Sequence, residues 1–90
     1  MNWHVYIISC SDNSLYTGIT TDPVRRLRQH VEGRGARYFR GRRPEQVIWL
    51  ETGHTRSSAS RREAEIKALS HAGKWLLAKK SVGIHLQEIT

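Results

Sequence analysis

Five side chains stand out for what their types could do together. Tyr6 and Tyr16 lie ten residues apart, Arg26 and His30 four apart, and Glu63 follows in an Arg- and Ala-rich run with Glu65 two positions on. A spacing of four puts Arg26 and His30 on one face of a helix. Phenol, imidazole and carboxylate groups can hand on protons, and a guanidinium fork matches phosphate oxygens two at a time. Each residue alone has an ordinary structural reading. A strand tyrosine packs with its hydroxyl at the rim, a surface Arg or His is solvated, and a Glu beside Arg61 and Arg62 makes an exposed ion pair worth well under about 1 kcal/mol. Other chemistries are missing from the chain. There is no Gly-rich loop followed by Lys-Ser/Thr, no GxGxxG and no nucleophile elbow. With a single cysteine, and with His30, His54, His71 and His85 scattered, no zinc-ligand spacing exists. Cys10 closes an apolar run and reads as core.

The charge points to the partner. The 90 residues carry a formal net charge of +7, from 15 Lys+Arg against 8 Asp+Glu. Arginine supplies 11 of the 15, and eight of those fall between Arg25 and Arg43, a stretch whose only acid is Glu32. Such a field attracts polyanions and speeds their encounter. Arg25, Arg34, Arg37, Arg40, Arg42 and Arg43 are the candidate nucleic-acid contacts. The same stretch has too little Leu, Ile or Phe for the apolar face of a lipid-bound helix. No apolar run approaches the ~20 residues of a membrane span, and the N-terminus lacks the pattern of a signal peptide. The expectation is a cytoplasmic protein, with a lone cysteine that suits a reducing compartment.

Particular elements must position these residues. Trp3 to Cys10 is rich in β-branched and aromatic residues and reads as a strand. Ser11 to Ser14 is turn chemistry, and Leu15 to Thr20 is a second strand. The two tyrosines share a face only if the hairpin loop is odd-numbered. A loop of Asp12, Asn13 and Ser14, pairing Ser11 with Leu15, is the expected one. Asp22 then caps a helix with Pro23 at its first position, and Gly33 ends it. Val24, Leu27 and Val31 form its apolar stripe, with Arg26 and His30 roughly 100° or more away on the wheel. Gly33 to Pro44 reads as a loop with one helical turn around Ala36 to Arg40. Gln46 to Thr52 reads as a third strand. Ser57 to Ser70 reads as a helix anchored by Ile66 and Leu69, and His71 to Lys79 as a second, short one. Residues 81–90 read as a tail or a short extended segment. The fold class expected is α/β (α+β): a three-stranded antiparallel sheet flanked by helices, in the order β-β-α-β-α-α.

With those residues in place, the chain resembles the GIY-YIG nuclease superfamily, and within it the small single-domain UPF0213 (YhbQ-like) bacterial proteins. His4-Val5-Tyr6 stands where Gly-Ile-Tyr would be, and Tyr16-Thr17-Gly18 where Tyr-Ile-Gly would be. Arg26 follows Gly18 by eight residues and His30 by twelve, as in the family's helix. The run Ala59 to Lys67 looks like the family's second-helix motif, whose acid aligns with Glu63. The helical wheel does not separate Glu63 from Glu65; the motif alignment alone prefers Glu63. The sequence departs from the pattern at His4 and Thr17, neither a reacting position. The resemblance covers about residues 3–80, implying a GIY-YIG nuclease-like domain over 1–80 and a C-terminal tail over 81–90.

The resemblance implies metal-dependent hydrolysis of nucleic-acid phosphodiester bonds, DNA ahead of RNA, with Mg²⁺ or Mn²⁺ held by Glu63. Tyr6, Tyr16, Arg26, His30 and Glu63 are then the catalytic residues. Tyr6 or Tyr16 takes the water's proton, with Tyr6 preferred. Arg26 clamps phosphate, and His30 orients a tyrosine or relays its proton. Two other readings compete: a non-catalytic nucleic-acid-binding module, and a nuclease subunit that relies on a protein partner for substrate specificity. Tyr38 and Phe39, interleaved with the loop arginines, would stack on exposed bases or anchor the loop to the core.

Overall fold

The computed structural model describes residues 2–34, 37–79 and 84–85. Strands β1 (Trp3–Cys10), β2 (Leu15–Thr20) and β3 (Pro44–His54) form the body of an antiparallel sheet, and a two-residue strand, β4 (Ile84–His85), adds to β3. The strand order is β2-β1-β3-β4, so β1, buried along most of its length, is central. Helix α1 (Pro23–Val31) and a 3₁₀ turn (Arg37–Phe39) lie between β2 and β3; α2 (Arg56–Lys67) and α3 (His71–Ala78) follow β3. The architecture is the expected α+β order. Ile84–His85 falls in the segment read as a tail or short extended piece; the rest of 81–90 lies outside the described residues, as does Ala36 of the expected loop turn.

The β1–β2 loop has three residues, as the shared face requires, but they are Ser11, Asp12 and Asn13. Cys10 N–H donates to the Ser14 carbonyl at 3.0 Å, so Cys10 pairs with Ser14 and not Ser11 with Leu15. Asn13 supplies the left-handed residue such a loop needs, at φ 66°, and Asp12 Oδ1 accepts from Ser14 N–H at 3.1 Å. A residue with positive φ fits Asn better than Ser, which explains the one-place shift. The odd count is preserved, so Tyr6 lies opposite Gly18 and Tyr16 opposite Ile8, with both rings on one face.

The sheet buries both faces. Val5, Ile7, Leu15, Ile48, Trp49, Ala59, Ile66 and Ala78 pack between the sheet and the pair α2/α3. Tyr6, Ile8, Cys10, Leu27 and Val47 pack beneath α1 and the 3₁₀ turn. A break in the β1–β3 register, with Ile7 opposite Trp49 and Ile8 opposite Val47, skips Ile48 and sends it to the α2 side. That bulge lets the unalternating run Val47-Ile48-Trp49 serve two cores.

Helix boundaries follow local chemistry. Asp22 caps α1, accepting from Arg25 N–H at 3.1 Å, Pro23 takes the first position, and Gly33 follows the last turn at φ 80°. Thr55 and Ser58 form a reciprocal capping box on α2. Ser70 caps α3, so α2 stops at Lys67 rather than reaching Ser70. Two expected apolar anchors are corrected. Val24 and Val31 are exposed, and the buried face of α1 is Leu27 with His30. Leu69 is likewise exposed, leaving Ile66 and Ala59 to anchor α2.

Thr17, on the α2 side of β2, is 3% exposed, and its hydroxyl has no hydrogen-bond partner among the described residues. An unsatisfied buried hydroxyl costs about 1–3 kcal/mol, and valine has the same branched shape. Thr17→Val should therefore stabilise the fold by about 1 kcal/mol, raising Tm by roughly 5 °C for a domain of this size. Thermal unfolding followed by far-UV circular dichroism measures it; an unchanged or lower Tm contradicts it.

Candidate active site

Alternation along β1 and β2, with the odd loop between them, delivers Tyr6 and Tyr16 to the α1 side of the sheet. Their ring centroids are 6.2 Å apart. α1 lays Leu27 and His30 over them. Tyr6 and His30 are each 1% exposed, and the Tyr6 hydroxyl and His30 Nε2 share a hydrogen bond of 2.9 Å. The wheel reading that kept His30 off the core is thus corrected. A buried imidazole is expensive unless paired, and Tyr6 is the pair. Arg26, half-buried one turn before His30, donates from Nη1 to Gln29 Oε1 at 3.1 Å.

Burial raises the Tyr6 phenol well above its ordinary value, and the neighbouring Tyr16 adds to the rise. The Arg26 guanidinium pulls it back, and the Glu63 charge opposes Arg26. His30 is pushed down to about 4, by burial first and Arg26 second, so the imidazole is neutral at pH 7. Glu63 lies on α2. Its side chain is 24% exposed, with Oε2 3.4 Å from Lys67 Nζ, whereas Glu65 is 65% exposed and paired outward with Arg62 at 3.2 Å. The wheel left the two acids equivalent; in the fold they differ in exposure and in partner.

The 3₁₀ turn roofs the pair of tyrosines. Phe39 stands 4.9 Å from Tyr16 and 4.6 Å from His30 between centroids, and Tyr38 stands 5.3 Å from Tyr16. Both aromatics are half-buried and face inward, so they anchor the loop rather than offering free stacking faces. The candidate arginines divide. Arg34 pairs with Glu32, and Arg42 pairs with Asp12 at 3.0 Å while stacking 4.3 Å above the Tyr38 ring. Arg25, Arg37, Arg40 and Arg43 are exposed, and no ion pair holds them among the described residues. Their neighbours Tyr38 and Phe39 thus carry an outward basic rim on an inward aromatic turn.

Two contributors had no place in the sequence reading. Gln29 holds Arg26 through an i, i+3 contact that helical spacing could have flagged. Gly18 lies directly across from Tyr6. A Cβ there would sit 2.5 Å from the Tyr6 hydroxyl and 3.0 Å from Tyr16 Cε2, so only glycine leaves room for both rings. The family motif contains this glycine, but only the cross-strand register shows what it makes room for.

A buried tyrosine–histidine pair, a neighbouring arginine, a carboxylate from a second helix and a hydrogen for side chain under the first tyrosine define a class. Residues 2–75 match the GIY-YIG catalytic domain, and the chain belongs to that family. Within it, the chain is 50% identical over 82 residues to the UPF0213 protein of Haloquadratum walsbyi, covering 91% of this chain and 92% of that one. It is 43% identical over 88 residues to a UPF0213 protein of Vibrio cholerae, covering 97% and 87%. The solution structure of the UPF0213 protein from Bacillus halodurans, 43% identical, superposes with a TM-score of 0.56 over 88% of this chain and 84% of that one. A second solution structure, of an E. faecalis protein 36% identical, gives 0.59 over 88% and 85%. The family is that of nuclease-type catalytic domains; the names of these relatives state no activity. No helix among the described residues is long and apolar enough to cross a membrane.

Proposed function

We propose that this chain is a metal-dependent nuclease that hydrolyses phosphodiester bonds of nucleic acid, DNA in the first instance. One observation carries the reading: Tyr6 feels Tyr16, Arg26 and Glu63 together while its hydroxyl is hydrogen-bonded to a neutral His30. A module that only binds has no use for a carboxylate beside the phosphate it holds. The exposed Arg25, Arg37, Arg40 and Arg43 supply the sequence-independent grip on the backbone.

The donor chemistry suits the family's divalent ion. Among the described residues no three metal-ligating side chains cluster, but Mg²⁺ keeps several waters and is often held by one or two carboxylates plus substrate phosphate. Glu63, partly exposed and loosely paired with Lys67, is that carboxylate. A divalent ion held by Glu63 would supply positive charge beside the phosphate and the leaving oxygen.

This chain's own residues move the proton. Burial keeps the Tyr6 phenol protonated, and the Arg26 guanidinium works against that. As the phenolate, Tyr6 takes the proton of the attacking water while the water oxygen bonds to phosphorus and the leaving oxygen departs, and His30 Nε2, hydrogen-bonded to the Tyr6 oxygen, holds it in place. Arg26 lowers the cost of the phenolate and clamps a non-bridging phosphate oxygen. Tyr16, half-buried, positions the phosphate. The domain spans residues 1–80 with 81–90 as its tail. Its place of action is the cytoplasm, consistent with the free, buried Cys10. The chemistry needs no protein partner; a partner supplies substrate choice, since the rim arginines contact phosphates alone.

Arg26→Ala tests the reading. Losing a preorganised phosphate donor costs about 10²–10³ in rate, so single-turnover cleavage should fall about a hundredfold while affinity for a labelled oligonucleotide falls only a few-fold. Equal losses in both would make Arg26 a binding residue only.

A further inference from the structure

The loop between α1 and β3 does more than display arginines. The Tyr16 hydroxyl has no hydrogen bond among the described residues, so the direction of the phenol is set by ring packing. Tyr16 and His30 meet edge to face with centroids 5.4 Å apart, and from the loop side Phe39 touches both, at 4.9 Å and 4.6 Å with planes inclined 55° and 52°. The turn that carries it is tied at several points. The Tyr38 hydroxyl donates to the Leu15 carbonyl at 3.2 Å, one residue before Tyr16. Arg42 lies over the Tyr38 ring and reaches Asp12, and Ser11 N–H donates to the Arg43 carbonyl at 2.9 Å. The turn is therefore strapped to the β1–β2 loop, with Arg37 and Arg40 exposed on either side of its aromatic pair.

We infer that Phe39 is a positioning residue for the reaction: its ring, held by the strapped turn, keeps Tyr16 and His30 in the orientation in which His30 meets Tyr6. This rests on the nuclease reading above and adds to it a residue that touches no reacting atom. Rate depends steeply on such alignment, and a displacement of about 1 Å can cost 10²-fold.

The test is Phe39→Leu, which keeps an apolar anchor and removes the ring, with Phe39→Tyr as the conservative variant. The expected result for Phe39→Leu is a kcat lowered about 10- to 100-fold with KM within twofold; Phe39→Tyr keeps kcat within about threefold. In parallel, nuclear Overhauser contacts between the Tyr16 and His30 rings, recorded without nucleic acid, should be present in the wild type and Phe39→Tyr and weakened or lost in Phe39→Leu. A folded Phe39→Leu protein with unchanged kcat, with its loss in KM alone, or with those contacts intact overturns the inference. If Phe39→Leu does not fold, Phe39→Met is read by the same criteria. If the wild type cuts nothing, the nuclease reading falls by itself, and the ring contacts still decide whether Phe39 sets the geometry.

Discussion

Tyr6→Phe should lower cleavage by about 10³-fold while leaving affinity for nucleic acid within a factor of two. The substitution keeps the ring that fills the core between Gly18 and Leu27 and removes one oxygen. That oxygen is 2.9 Å from His30 Nε2, and on the proposed path every proton leaving the water passes through it. General-base contributions run to about 10²–10⁴. His30 left alone stays buried and neutral, too far inside to replace the phenol. Stability should fall by about 1 kcal/mol, the worth of a hydrogen bond whose remaining partner is left buried. Affinity should hold because Arg25, Arg37, Arg40 and Arg43 are untouched. Tyr16→Phe is the internal control. Its hydroxyl makes no hydrogen bond among the described residues, so its loss should cost less than that of Tyr6. A larger loss for Tyr16→Phe than for Tyr6→Phe would exchange the two roles. Single-turnover cleavage beside fluorescence-anisotropy binding reads all of this.

Gly18→Ala should be nearly as damaging, by a purely steric route. The added methyl would lie 2.5 Å from the Tyr6 hydroxyl, 2.7 Å from its Cζ and 3.0 Å from Tyr16 Cε2. Such contacts are cheap against the free end of a flexible side chain. Here the end belongs to a rigid ring, fully buried and bonded to His30, so the ring must move or the strands must part. Overpacking of this kind costs about 1–3 kcal/mol. The displacement falls on both tyrosines, so cleavage should drop by 10² or more, in line with the steep cost of a misplaced group. Denaturant unfolding gives the first figure and cleavage the second. A Gly18→Ala protein of wild-type stability and activity would show that the tyrosine pair tolerates displacement and does not work as a fixed unit.

These two positions also show how far the sequence speaks. Turn chemistry marked the hairpin but left its loop length open; the odd loop was expected because a shared face for Tyr6 and Tyr16 requires it, and Asn13's left-handed backbone moved that loop one residue along. The cap at Asp22 and the stop at Gly33 were legible too, because capping is local. The buried face of α1 was not. A wheel sorts residues by polarity and sends histidine outward, whereas His30 is buried because Tyr6, 24 residues away, satisfies its ring nitrogen. Glu63 and Glu65 were equivalent on the helix, and the fold gives them different exposure and different partners, Lys67 and Arg62. Arg42 was counted with the phosphate contacts, yet Asp12 and Tyr38 engage it across loops that only the fold brings together. The unread part is consistently non-local: pairs of polar groups whose partner lies on another element.

The central claim is metal-dependent hydrolysis at this site, and one assay tests it most directly. Purified wild type and Glu63→Ala are incubated with labelled single-stranded DNA, duplex DNA and RNA in Mg²⁺, Mn²⁺ or EDTA. The account predicts cutting by the wild type in at least one metal, none in EDTA, and none by Glu63→Ala, which still binds. No cutting under any condition, with salt-sensitive binding common to both proteins, would contradict it and leave a nucleic-acid-binding domain in place of a nuclease.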